Sequence, residues 1–293
     1  ISACLVGSEM CIRDRYMKPH RQSMDYAILN SSNANVPDGS VVNRDWDYRS
    51  AFRAGLSYRL PGQQWGVGFY YTYLHDATSG SVAAPDGDVL FATQTHPGTV
   101  AQVQSASADT SLNYNVFDLE VSRWWHPGSS FVVRPFVGGR FARIDQNFTA
   151  SYDGGDANLD QVSQRLHFNG GGFRAGAEAI FTLGGGFGLF GRASGSLVAG
   201  DFNSFLVETN NAGATTLTNI RDHFEKVVPV AEMTLGANYQ YHNLRLTAGY
   251  MFINWFGLVT VPTFVDDAHQ GKFVRSTSDL SLEGLILRAE WWF

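Results

Sequence analysis

The chain has 293 residues, 44% hydrophobic, 14% aromatic and only 16% charged, with a formal charge of −6. No Lys/Arg run offers a nucleic-acid footprint. The mean hydropathy of −0.14, and the lack of any uncharged apolar run near the roughly 20 residues of a spanning helix, exclude a helical membrane protein.

The first residues stand apart. The chain opens on Ile1, with no basic stretch leading into an apolar one, so no signal peptide is read in it. Leu5 to Arg15 resembles one translated frame of a transposase sequencing adapter. Residues 1–15 are therefore expected to be non-native, and residues 16–293 to form a single domain. Both cysteines, Cys4 and Cys11, fall in the foreign stretch, which leaves no disulfide or thiolate metal site in the rest.

From Trp46 onward the pattern has period two, in runs of about ten residues, the length of a tilted membrane strand. In Tyr48 to Leu60, Phe52, Ala54, Leu56 and Tyr58 alternate with Arg53, Gly55, Ser57 and Arg59. Pro61 and Gly62 turn the chain into Trp65, Val67, Phe69, Tyr71 and Tyr73. After a polar stretch from His75 to about Asp109, Phe117, Leu119 and Val121 alternate with Asp118, Glu120 and Ser122. His126 to Ser130 turns into a run with Val133, Val137 and Phe141 on one face and Arg134, Phe136, Gly138 and Arg140 on the other.

The pattern continues to the end. Phe173, Ala175, Ala177 and Phe181 oppose Arg174, Gly176 and Glu178, and Gly184 to Gly186 leads into a run carrying Arg192, Ser194 and Ser196. Gly200 to about Phe224 reads as a long polar loop. Met233, Leu235 and Tyr239 then oppose Glu232 and Thr234, and Leu246, Ala248 and Tyr250 oppose Arg245 and Thr247. Pro262 to Ser278 reads as a last loop. Leu285, Leu287, Ala289, Trp291 and Phe293 close the chain against Arg288 and Glu290.

About nine runs result, joined alternately by short turns and long connections. Outer-membrane barrels have short periplasmic turns, long extracellular loops and an even strand number. A tenth strand is therefore expected upstream, with Ser23 to Leu29 as its tail and the foreign stretch in place of its first half. The fold expected is an all-β, transmembrane, antiparallel up-and-down barrel of about ten strands, its first strand truncated.

One face of each run is nearly free of charge, as lipid requires. The other mixes signs, and buried charges must be paired or hydrated. Arg53, Asp118, Glu120, Arg134, Arg140, Arg174, Glu178, Arg192, Glu232, Arg245, Arg288 and Glu290 are expected to line the lumen. Tyr48, Tyr58, Trp65, Tyr71, Tyr73, Trp124, Trp125, Tyr239, Tyr241, Trp255, Trp291 and Trp292 are expected at the two headgroup levels. The terminal strand, with Trp291 and Phe293, resembles the signal read by the outer-membrane assembly machinery. The expected partners are that machinery and outer-membrane lipids, with no nucleic acid, no cofactor and no metal.

Asp45 to Gly55, Tyr71-Thr72-Tyr73, Asn113 to Glu120 and Asp279 to Phe293 carry a further resemblance. From about Met24 onward the chain resembles the Legionella-type major outer membrane protein family of pore-forming barrels. The resemblance implies a bacterial outer-membrane location and a porin-like role for small solutes or ions, and supplies no site residues.

Two other functions compete: a non-conducting structural or adhesive barrel, and an outer-membrane hydrolase. A ten-stranded barrel lies near the size at which side chains fill the interior, so the Arg and Glu residues would then plug it. A hydrolase needs a nucleophile or activated water beside a His and a carboxylate. The candidate histidines are His75, His96, His167, His223 and His269. Asp76 and Asp222 adjoin two of them in sequence, but neighbours on a strand point to opposite faces. Pro85 to Asp88 and Asp153 to Asp156 read as turns, since they lack the spaced ligands of a calcium loop.

Overall fold

The structure, a computed structural model, describes residues 8–30, 36–61, 64–85, 88–268 and 271–292. Among them there is no helix, and fourteen strands run in order. These are β1 (Ser8–Arg21), β2 (Asp25–Asn30), β3 (Gly39–Asn43), β4 (Arg49–Arg59), β5 (Trp65–Ala83), β6 (Val89–Ala92) and β7 (Gln102–Val103). They continue with β8 (Ser105–Arg123), β9 (Phe131–Gly154), β10 (Ala157–Gly184), β11 (Phe187–Asn210), β12 (Thr215–Tyr241), β13 (Leu244–Phe264) and β14 (Phe273–Trp292).

Ten of these close an antiparallel barrel in the order β1-β14-β13-β12-β11-β10-β9-β8-β5-β4. The other four form a separate sheet in the order β3-β2-β6-β7. That sheet corrects the sequence reading at the N-terminal end. Ser23 to Leu29 is not the tail of the first barrel strand. Asp25–Asn30 is β2 of the small sheet, and the first barrel strand is Ser8–Arg21, whose backbone pairs with β14 on one side and β4 on the other. Residues 8–15, expected to be foreign, thus hold a strand position in the wall.

The wall is two-storeyed, and the sequence shows why. Near the short turns the outward residues are apolar and exposed: Leu119, Val137, Phe173, Leu197, Leu235 and Leu287. The inward ones are charged. Higher up the phase reverses. On β8 the inward residues become Leu112, Tyr114 and Val116, and the outward ones Ser111, Asn113 and Asn115. On β9 the inward set becomes Ala142, Ile144 and Phe148 against outward Arg143, Asp145 and Asn147. On β11 it becomes Val198, Phe202 and Leu206 against Asp201 and Asn203. A wall facing lipid needs an apolar outside, and a wall facing water needs an apolar inside. The reversal, near Phe117, Ala142, Gly170 and Gly200, marks the outer membrane boundary.

The stretches read as long polar loops are therefore mostly wall. Strands β9 to β12 run 24 to 28 residues, against the 9–11 or so needed to cross lipid. They rise well above the membrane. The small sheet packs into this upper storey, where Tyr26, Leu90 and Val103 join the apolar core and the Tyr152 hydroxyl donates to the Tyr26 carbonyl at 2.7 Å.

The upper wall has a seam. Strand β12 pairs with β13 only from Val230–Trp255 down to Tyr241–Leu244, and pairs with β11 throughout its length. Above Trp255, β13 leaves its neighbour at a bulge where Gly257 adopts φ +63°, a conformation glycine takes readily. Leu258 to Pro262 then turn inward and are buried on both faces.

Candidate functional site

The lumen near the short turns is the most chemically distinctive part of the molecule. Each of its side chains follows from strand alternation: β8 contributes Asp118 and Glu120, β9 Arg134 and Arg140, β10 Arg174 and Glu178, and β14 Arg288 and Glu290. Glycines give the larger groups room. A Cβ on Gly176 would come within 2.6 Å of the Phe136 ring, and that ring carries Arg192 at 4.2 Å and Arg174 at 5.6 Å from its centroid.

Asp118 is the hub. It accepts two hydrogen bonds from Arg140, from Nε at 2.7 Å and Nη2 at 3.1 Å. Arg174 donates to it at 2.8 Å, and Arg53 lies at 2.9 Å. Arg140 and Arg174 both extend to Glu232, the latter at 2.6 Å. Arg192 donates to both oxygens of Glu120, at 2.6 and 2.7 Å, and reaches Glu178 at 3.4 Å. Glu178 also meets Arg134 at 3.1 Å and Arg288 at 3.4 Å. Arg288 pairs with Glu290, which lies 3.8 Å from Arg245.

All twelve residues expected in the lumen therefore sit in one connected network. The side chains of Asp118 and Arg140 are 0% exposed and that of Arg174 1%. A water-filled bore would wet them. Buried charges at such density persist only when paired, and every charge of this network meets an opposite one, although the Nε atoms of Arg53 and Arg174 are buried without a hydrogen-bond partner.

Several contacts were not foreseen. Tyr70 stacks under Arg53 at 4.8 Å, Thr72 accepts from Arg53 at 3.2 Å and Ser194 from Arg174 at 2.9 Å. Period two marks their face but not their contacts. Arg15, assigned to the foreign stretch, is buried on β1. Two expected girdle residues are corrected. Trp124 turns to the lumen mouth, between the guanidinium groups of Arg59 and Arg134 at 5.0 and 5.3 Å. Trp255 is 0% exposed inside the barrel, donating from Nε1 to the Tyr114 hydroxyl at 3.2 Å. It lies just above the network, with its ring against Tyr114 and Phe168 and Phe202 beyond them, and makes a second, aromatic closure. Trp65, Tyr58, Tyr239, Tyr241 and Trp291 are exposed on the outer face, as girdle residues should be. Phe293 lies outside the described residues.

The hydrolase candidates scatter. His75 bonds Asn113 at 2.7 Å, while Asp76 points the other way and accepts from Arg49 at 3.1 Å. His223 bonds Asn203 at 3.0 Å and lies 4.0 Å from Asp201 on the outer wall, and Asp222 pairs with Arg275. His167 does meet a carboxylate, Asp145, at 2.8 Å on the outer wall, but among the described residues no hydroxyl or thiol is bonded to it. His269 is outside the described residues. Asp153 and Asp156 accept backbone N–H groups of Leu159, Ala101 and Gln102, which is turn chemistry. Among the described residues no group of three or more His, Cys, Asp or Glu is placed to hold a metal.

A closed ten-stranded barrel, apolar outside and charged within across one membrane thickness, defines a bacterial outer-membrane β-barrel protein. The model of the Legionella pneumophila major outer membrane protein precursor family matches residues 9–293, and the chain belongs to that family. No curated protein matches the chain in sequence.

Among solved structures, the outer membrane protease OmpT of Escherichia coli aligns over 98% of this chain and 96% of its own, at 12% identity and a TM-score of 0.51. The translocator domain of the autotransporter NalP from Neisseria meningitidis aligns over 98% and 89%, at 9% identity and a TM-score of 0.41. A major outer membrane protein of Thermus thermophilus aligns over 98% and 99%, at 14% identity and a TM-score of 0.37. At these identities the likeness is one of fold.

Proposed function

We propose that this chain is an outer-membrane barrel closed to solutes in its resting state, which anchors and displays a structured extracellular storey. The observation that carries this reading is the burial of Asp118, Arg140 and Arg174 at the centre of the lumen network. Side chains this little exposed keep water from the centre of the network, and the Tyr114–Trp255–Phe168 layer lies above them. The bore also suits the size rule, since barrels of about eight strands are filled by their own side chains and open porins have about sixteen or more.

A second reading, a porin-like passive pore for small solutes or ions, draws on how the lower closure is made. The short turns beneath it are exposed, so side chains alone form it. Seven arginines stand there against five carboxylates. Such a closure can rearrange without unfolding the wall, and would then favour anions. Single-channel recording in planar bilayers separates the two. The closed barrel inserts and stays silent. Discrete ohmic steps from the unaltered protein, shifted in selectivity by Arg134→Ala or Glu178→Gln, would establish the pore in its place.

A further inference from the structure

We propose that Asp160 and Glu208 form a cation site beneath the extracellular rim, suited to a divalent ion that prefers oxygen ligands, such as calcium. The two residues sit on neighbouring strands. Val162 of β10 pairs with Glu208 of β11, and Gln161 with Thr209, so Asp160 lies one diagonal step from Glu208 on the same inward face. Each is 1% exposed.

Their hydrogen bonding is unequal. Glu208 accepts from the His96 backbone N–H at 2.8 Å and from the Thr99 hydroxyl at 3.0 Å. Neither oxygen of Asp160 has a hydrogen-bond partner. Among the described residues neither carboxylate belongs to an ion pair. This contrasts with the lumen network, where every carboxylate meets arginine.

Two adjacent buried carboxylates without a counter-charge are not stable as dianions. They must share a proton or hold a cation. Burial and the Glu208 charge push Asp160 up to about 7, and burial raises Glu208 as well. The other titratable groups facing the pair are the Tyr152 hydroxyl, from β9, and His96. Nearby polar groups are neutral: Gln164 and Gln94 bond each other at 2.9 Å, and Thr99 already leans on Glu208. Calcium takes six to eight or so oxygen ligands, among them carboxylates, amide carbonyls and waters. The His96 ring beside Glu208 is engaged through Nδ1 with the Pro97 carbonyl at 2.8 Å, and the groups offered next to Asp160 are oxygens, which suit calcium better than zinc.

The site has a consequence for the cap. Glu208 holds the connection between β6 and β7 through His96 and Thr99. A cation bridging Glu208 to Asp160 would fasten that connection, and the small sheet with it, to the rim of β10 and β11.

The test is calcium titration of the refolded barrel in detergent, after chelator treatment, by calorimetry and by thermal unfolding. The expected result is saturable binding with a rise in melting temperature, stronger at pH 8 than at pH 6 because the proton competes. Asp160→Asn and Glu208→Gln are each expected to weaken binding at least tenfold, whereas Asp222→Asn, on β12 and paired with Arg275, leaves it unchanged. Absence of calcium binding by the unaltered protein at pH 8 would overturn the proposal. So would unchanged affinity in both Asp160→Asn and Glu208→Gln. If Asp160→Asn stabilises the barrel equally with and without calcium, the pair holds a proton and the cation site is wrong.

Discussion

At the scale of single residues, the lumen is decided by pairing and the outer wall by transfer to lipid. Asp118 is held by Arg53, Arg140 and Arg174 with no exposed surface. Replacing it with Asn keeps the shape and strands three buried guanidinium groups beside one fewer negative charge. Removing one partner from a buried ionic cluster costs about 3–5 kcal/mol. Asp118→Asn is accordingly expected to lower the unfolding free energy, read from urea titration of the folded, heat-modifiable band on gels, by that amount. A loss under about 1 kcal/mol would mean that water already shields the hub. On the other face, Leu235 is 53% exposed near the middle of the lipid band of β12. An arginine at the bilayer midplane of such barrels costs about 2–4 kcal/mol. Leu235→Arg is expected to show that penalty in vesicles, and Asn219→Arg, on the same face above the membrane, to show almost none.

At the scale of elements, the seam between β12 and β13 is where the wall relies on side chains. Above Val230 the backbone ladder is replaced by two ties. Arg275 of β14 donates to both oxygens of Asp222 at 2.6 and 2.8 Å, and the Lys226 ammonium donates to the Gly257 carbonyl at 3.0 Å. The Arg275 hydrogen bonds and charge hold Asp222 below the usual carboxylate range. A carboxyl depressed in the folded state lends stability above its unfolded pKa of about 3.9 and loses it as the pH falls through the folded value. Arg275 is 48% exposed, so solvent screening limits the tie to about 1 kcal/mol or less. Asp222→Asn is expected to speed amide exchange across Phe256–Phe264 severalfold at pH 7, and to converge on the unaltered protein only as the pH falls below about 3.9, through the depressed folded value. Equal rates at pH 7 would show that the inward packing of Leu258 to Pro262 alone holds the segment. The seam also marks where the sequence stops being legible. Below the boundary, Phe117-Asp118-Leu119-Glu120 announces both the strand and its lumen face, because lipid and lumen impose opposite chemistry on alternate residues. Above it, Gly200 to Phe224 reads as loop, because the apolar residues change face and the polar ones no longer mark a lumen. Asp160 and Glu208 escaped notice for the same reason. Nothing local says that a carboxylate in a polar stretch points into a packed interior.

At the scale of the whole molecule, closure rests on β1. Open edges in lipid leave backbone N–H and C=O groups without partners, at several kcal/mol each, so a barrel wall tolerates no missing strand. Strand β1 bridges β14, from Glu9–Trp292 to Arg21–Leu280, and β4, from Ser8–Tyr58 to Met17–Arg49. These are backbone pairings, indifferent to side-chain identity provided that alternation suits the two faces. That indifference reconciles two observations that otherwise conflict: Leu5 to Arg15 resembles a translated adapter, yet residues 8–15 occupy a complete strand position. Any extended segment of suitable alternation joined to Tyr16 can close the seam between β14 and β4. Two variants separate this from a need for the particular residues. Deleting residues 1–15 is expected to abolish the heat-modifiable band in refolding trials, because the lower halves of β4 and β14 lose their partner. Replacing residues 8–15 with an unrelated stretch, Thr and Ser facing in and Val and Leu facing out, is expected to restore the band to within about twofold of the original yield. Recovery with the deletion alone would mean that β14 and β4 can pair directly into a nine-stranded wall. Failure of the replacement would mean that inward groups on β1, with buried Arg15 the first to examine, are part of the lumen closure and not merely of its frame.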